Sequence, residues 1–245
     1  MRRRNAGDRS GGGASRRRPI SGPARALALA ALASALVSCA TGIPRRTAAP
    51  PARAAEIALR WKAFRSSVLA RQAVELYYDA RLRRGLLSGT FVAAVRDEPG
   101  RALAVVIEGP LGAAVARAKW DGRTTVIERA GHAAAGGDSP TLADLGVPIS
   151  ARPLSLLLFG LPDETPPDAV ELAGGAAWLS WRDGALACEF DDAGLTVRRV
   201  LSREGPTPID IRYSGWDGGI PSRISIRISG GGRADLVARP GEGDR

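Results

Sequence analysis

From residue 54 to 72 the apolar residues Ile57, Trp61, Phe64, Val68 and Leu69 recur at intervals of three and four, with arginines between them. That spacing is one face of an amphipathic α-helix. The period then drops to two. Val74, Leu76, Tyr78, Ala80 and Leu82 alternate with Glu75, Tyr77, Asp79 and Arg81, the signature of a half-buried strand. Similar patterns predict strands over 87–95, 101–108, 113–120 and 124–129. Asp97-Glu98-Pro99-Gly100 reads as a turn, because Pro fixes φ and Gly accepts a positive one. Asp121-Gly122 is a favoured hairpin turn.

The middle of the chain changes character. Ser139 or Thr141 is placed to cap a short helix over 142–145, and Ser150 precedes a second one over 153–159, which stops at Gly160 before Pro162. Strands resume over 176–181, 186–190, 195–201, 208–214, 220–228 and 233–237. Ile224, Ile226 and Ile228 set against Arg223, Ser225 and Arg227 form the cleanest alternation in the chain. The expected product is a long antiparallel sheet with a few helices, which has to close or curl around something.

The N-terminal residues follow another logic. Arginines from Arg2 to Arg25 lead into the apolar run from Ala26 to Val37. That run is too short to span a bilayer and suits a signal-peptide core. It ends in Leu36-Val37-Ser38-Cys39, which resembles a lipobox, so Cys39 is the expected lipidation site. An ordinary secretory signal with an accidental cysteine is the alternative, and a start downstream of Met1 would leave the mature protein unchanged. Pro44, Pro50 and Pro51 mark an extended tether. The expected organisation is a signal peptide over 1–38, a tether over 39–55, one domain over 56–239 and a disordered tail over 240–245.

Composition narrows the function. The formal charge is +10. Eight arginines and one acid precede Cys39, leaving 27 of the 35 bases against 24 of the 25 acids beyond it. The basic excess therefore belongs mostly to the leader. With no basic-aromatic stripe in the remainder, nucleic acid is not an expected partner. His132 is the sole histidine. It sits in a Gly/Ala-rich stretch read as a loop, without ligands at metal spacing, so neither a metal site nor a Ser-His-Asp triad is expected. Asp163-Glu164 and Asp191-Asp192 are sequence neighbours, better explained as solvated turns than as acid–base pairs. Cys188 reads as a small buried residue. With Cys39 acylated it has no partner for a disulfide. Trp178 and Trp181, three apart on a strand, point to opposite faces as packing contacts. No cofactor is expected, no P-loop is present, and the chain does not read as an enzyme.

Three stretches, taken in order, resemble the LolB/LolA lipoprotein-carrier family, and its LolB branch most closely. They are Ile107-Glu108-Gly109-Pro110-Leu111-Gly112; Leu145-Gly146-Val147-Pro148-Ile149-Ser150 followed by Leu154 to Gly160-Leu161-Pro162; and 209–228 with Tyr213, Trp216 and Gly219-Ile220-Pro221. The resemblance implies a mainly β fold with helices: a strongly curved, incompletely closed antiparallel β-barrel capped by helices around a hydrophobic cavity. It implies an outer-membrane lipoprotein, facing the periplasm, that accepts acylated lipoproteins or a related acyl ligand from a soluble LolA-like carrier and inserts them into the membrane. The alternative is an envelope lipoprotein of the same fold acting as a non-carrier assembly or tethering module. By the same resemblance Gly109, Pro110, Leu111 and Gly112 form the acyl-transfer loop, with Leu111 protruding; the other reading of Leu111 is a turn residue packed on its own sheet. Ala102, Ala104, Ala114 and Ala116 fit a hollow and tight packing equally well.

Overall fold

The computed structural model describes residues 46–84, 87–129, 132–135, 151–204 and 207–239. Residues Arg45–Arg245 form a compact unit by themselves. Helix α1 spans Pro51–Leu69 and helix α2 Ala151–Leu158. The strands are β1 (Thr47–Ala48), β2 (Val74–Arg84), β3 (Leu87–Glu98), β4 (Ala102–Glu108), β5 (Ala114–Trp120), β6 (Thr125–Arg129), β7 (His132–Ala135), β8 (Ala169–Ala173), β9 (Ala176–Trp181), β10 (Leu186–Asp191), β11 (Thr196–Ser202), β12 (Ile209–Asp217), β13 (Ile220–Ile228) and β14 (Gly232–Ala238).

All fourteen join one antiparallel sheet in the order β1-β8-β9-β10-β11-β12-β13-β14-β2-β3-β4-β5-β6-β7. The two halves of the chain meet where β14 pairs with β2, Leu236 opposite Ala80. The sheet ends at β1 and β7, so it is open. It is also curved. On α2, Ser155 bonds Asp97 of β3 while the Leu157 carbonyl accepts from the Tyr213 hydroxyl of β12. Those strands stand four positions apart, about 19 Å in a flat sheet. Two helical residues only two positions apart reach both strands because the sheet bends around them.

Helix α1 starts with Pro51 at its first turn, where a missing N–H costs nothing. Its stripe of Ile57, Trp61, Phe64 and Val68 is buried in the concave core. Helix α2 stops at Gly160 (φ +73°), with Gly160 N–H donating to Leu157 O (3.1 Å) and Leu161 N–H to Leu156 O (3.0 Å). This is the Schellman pattern. A Cβ on Gly160 would also lie 2.8 Å from the Trp216 ring, so glycine is required for space as well as conformation.

Three expectations need correction. The tether expected over 39–55 gives way early: Thr47 and Ala48 pair with Leu172 and Glu171 of β8, and the helix has begun by Pro51. The stretch read as a loop around His132 contains β7, held by pairing with β6 rather than by its own Ala-rich sequence. Asp97, read as part of a turn, is the last inward-facing residue of β3, opposite Leu103, and is fully buried. The helix expected over 142–145 and Leu145 to Ser150 lie outside the described residues.

Candidate functional site

The β4–β5 loop is short and internally bonded. Gly112 N–H donates to Gly109 O and Gly109 N–H to Ala113 O, each at 2.9 Å. Pro110 occupies the turn position that wants its fixed φ. Gly112 has φ +75°, yet a Cβ there would meet nothing within 4 Å, so this glycine serves conformation and not space. Leu111 stands at the tip, 97% exposed. Nothing on its own sheet covers it.

Behind this loop lies a thinly covered apolar wall. Phe91, Val105 and Ile107 share the inward face of β3 and β4 with buried Ala93, Val95 and Leu103, but are themselves only half-buried. Across from them Leu154 of α2 packs on Ala118 and Ile127. Ala116 and Ala118 of β5 are buried, whereas Ala102, Ala104 and Ala114 are half-buried. Strand β4 runs from this wall directly into the loop, with a register shift between Ile107 and Glu108.

The opposite side of the concave face is filled. The ring centroid of Trp61 lies 5.5 Å from Trp181, 5.3 Å from Phe190 and 5.3 Å from Phe64. Trp181 also donates its Nε1–H to Thr165 O (3.1 Å). Trp178, facing the other way on β9, lies under the Arg46 guanidinium at 3.9 Å.

Between the two sides α2 is latched by a polar contact. Ser155 Oγ donates to Asp97 Oδ1 (2.7 Å) and accepts from Gly100 N–H (3.0 Å). Burial pushes the Asp97 carboxyl up to about 7, partly offset by the Ser155 hydroxyl. Asp97 Oδ2 and the Tyr78 hydroxyl are buried without a hydrogen-bond partner. Burial also pushes the Tyr78 phenol up, with the Asp97 charge adding to it. Among the described residues this seam holds two such atoms side by side, and they are costly to bury.

Other candidates carry less chemistry. Cys188 is a free thiol, fully buried and pushed upward by burial, which is the opposite of a reactive thiolate. A cleft of about 300 Å³ beside α2 is lined by Arg152, Asp163, Glu164, Arg182 and Glu204. Its charges are matched: Arg152 pairs with Glu164 and Arg182 with Asp163, both at 2.7 Å, and Arg182 also with Glu204. Of the adjacent acid pairs, Asp191 is held by Arg198 and Asp192 by Arg53. Among the described residues no group of His, Cys, Asp or Glu is placed to hold a metal ion. Cys39 lies outside the described residues, and His132 is described only as part of β7.

The sequence pointed to Gly109–Gly112 but not to the wall behind them, to the Asp97–Ser155 latch, or to the meeting of Trp61, Trp181 and Phe190. The latch had a signal: 91, 93 and 95 alternate inward, and 97 continues the series.

A LolA superfamily protein from Nitrosomonas europaea has a similar structure, with a TM-score of 0.51 and 10% identity, covering 73% of this chain and 91% of that one. A DUF1329 family protein from Desulfovibrio piger aligns with a TM-score of 0.49 and 12% identity over 75% and 89% of the two chains. The Mycobacterium tuberculosis lipoprotein LppX aligns at 0.30 and 12% over 75% and 93%. No protein-family model and no curated protein matches the chain. At 10% identity the first likeness is one of fold: the curved, open antiparallel sheet with two helices is LolA-like.

Proposed function

We propose that this chain is a LolB-like lipoprotein receptor: anchored through lipid on Cys39 in the outer membrane, it accepts acylated lipoproteins from a soluble carrier and releases them into the bilayer. One observation carries the reading. Half-buried apolar residues on the concave face, Phe91 of β3 with Val105 and Ile107 of β4, adjoin an internally bonded loop whose leucine is left in water. An acyl chain laid against that wall would lose water from each methylene, about 0.8 kcal/mol apiece. Leu111 entering lipid gains roughly 1.5–3 kcal/mol. The first term favours capture at the wall and the second favours contact of the loop with lipid. The bilayer also covers the part of each methylene that a one-sided wall leaves wet, so release needs no nucleotide.

The test is capture of an acylated lipoprotein from a soluble carrier by residues 45–245, followed by release to vesicles. Stoichiometric capture that free fatty acid competes away is expected. A folded domain that captures nothing would overturn the reading. The filled side of the interior, built on Trp61, Trp181 and Phe190, favours a second reading, an assembly or tethering module of the same fold. That module would bind an envelope protein whether or not the protein is acylated.

A further inference from the structure

On the convex face, arginines stand directly opposite arginines. Arg83 of β2 pairs with Arg233 of β14, and Arg233 pairs in turn with Arg227 of β13. Farther along the sheet Arg199 of β11 faces Arg212 of β12. Like charges opposite one another weaken an antiparallel ladder. Acids relieve some of them: Arg199 and Arg212 share Asp210 (2.8 and 3.4 Å), and Arg233 bonds Asp235 (2.7 Å). Among the described residues Arg81, Arg83, Arg223 and Arg227 have no acidic partner within ion-pair distance. Arg81, Arg83, Arg223, Arg227 and Arg233 are all exposed.

The position of this row matters as much as its charge. Arg227 lies next to the β13–β14 turn, which closes where Gly231 N–H donates to Ile228 O. Arg83 pairs with Ser88 across the β2–β3 hairpin, and farther along β3 Val92 pairs with Glu108. The Leu111 loop therefore leaves the sheet at the same end as the row. A planar guanidinium suits phosphate oxygens in bidentate geometry, and cations beside an exposed apolar side chain match a surface of charged headgroups over hydrocarbon.

We propose that Arg83, Arg227 and Arg233 form a contact site for anionic phospholipid headgroups, which presents the Leu111 end of the sheet to the membrane. This rests on the membrane role proposed above. Asp235 offsets only part of the row, and a negative surface would offset the rest.

The experiment is flotation of residues 45–245 with vesicles of phosphatidylcholine alone or mixed with phosphatidylglycerol. Binding is expected only to the mixed vesicles, weakening as salt rises. The triple variant Arg83→Ser, Arg227→Ser, Arg233→Ser should lose about 100-fold in affinity while staying folded, since relief of the repulsion offsets the lost Arg233–Asp235 pair. The corresponding lysine variant keeps the charge but not the bidentate fork, so its binding should stay selective and salt-sensitive at an affinity between those of the serine variant and the unaltered domain. Salt-insensitive or unselective binding by the unaltered domain, or undiminished binding by the serine variant, would overturn the site. So would capture of an acidic soluble protein without vesicle selectivity, which would give the face to a protein partner. Acyl capture without vesicles separates the two ideas: its loss with selectivity retained sinks only the receptor reading, and the reverse sinks only this site.

Discussion

The two sides of the concave face are built from different side chains. On β9 and β10 nearly every residue is buried, and Trp181 and Phe190 meet Trp61 and Phe64 of α1 in one aromatic cluster. On β4 only Leu103 is buried; the remaining residues are half-covered, and β5 contributes alanines at two of its buried positions. Large interlocking rings make the first side a core. Small and half-covered residues leave the second a thinner wall, whose Phe91 and Val105 reach the core only from its margin. The difference teaches where the proposed acyl ligand would lie: on the side that is not filled by large rings, and that ends in Leu111.

The strongest way to break this comparison is at the aromatic cluster. Trp181→Ala should cost about 3–5 kcal/mol of unfolding free energy, read by chemical denaturation. A loss below about 1 kcal/mol would show that this side is no more a core than the other. Next comes the latch between them. Asp97 is held protonated by burial up to about pH 7, while an unfolded aspartate ionises near pH 4. Between those values the folded chain binds more protons than the unfolded one, so stability falls as pH rises through the window. The expected loss is roughly 2–4 kcal/mol between about pH 4 and about pH 8. Asp97→Asn, which keeps an acceptor for Ser155, should flatten the profile. A wild-type curve already flat over that range would contradict the assignment.

Smaller effects sharpen the picture on the thin side. Leu111→Glu should leave stability within about 0.5 kcal/mol and lower insertion of captured cargo into vesicles by about tenfold or more, since the leucine's transfer energy is lost. Equal insertion by both proteins would return Leu111 to the role of an ordinary turn residue. Ile107→Ala should cost under about 1.5 kcal/mol, because a half-buried side chain has less to lose. It should still weaken acyl capture measurably, and unchanged capture would take Ile107 out of the wall.

Much of the fold could be read from alternation. Strands β2 and β13 follow their predicted faces residue by residue, and α1 buries the stripe its spacing announced. The elements that escaped have weak patterns of their own. Ala169–Ala173 and His132–Ala135 are alanine-rich and become strands because a neighbour offers its edge. Thr47–Ala48 is two residues long in a Pro- and Arg-rich stretch. For the candidate site, Gly109-Pro110-Leu111-Gly112 is legible as a turn because Pro110 and Gly112 act locally, whereas its proposed role in acyl transfer comes only from the family resemblance. The latch and the aromatic cluster could not, since Asp97 and Ser155 are 58 residues apart and nothing in either segment names the other. The arginine row needed the register of three strands before its members became neighbours.

Strand β1 has a mechanical consequence. The chain enters the domain as an edge strand, so a pull along its N-terminal segment is borne first by the pairs Thr47–Leu172 and Ala48–Glu171 and by Arg46 seated on Trp178. The load reaches β8 before it reaches α1, sparing the helix that carries the aromatic core. A chain trimmed back to residue 56 would remove that strain relief together with the first turn of α1. It would uncover the Trp178 ring and leave the β8 edge open to pairing with another molecule.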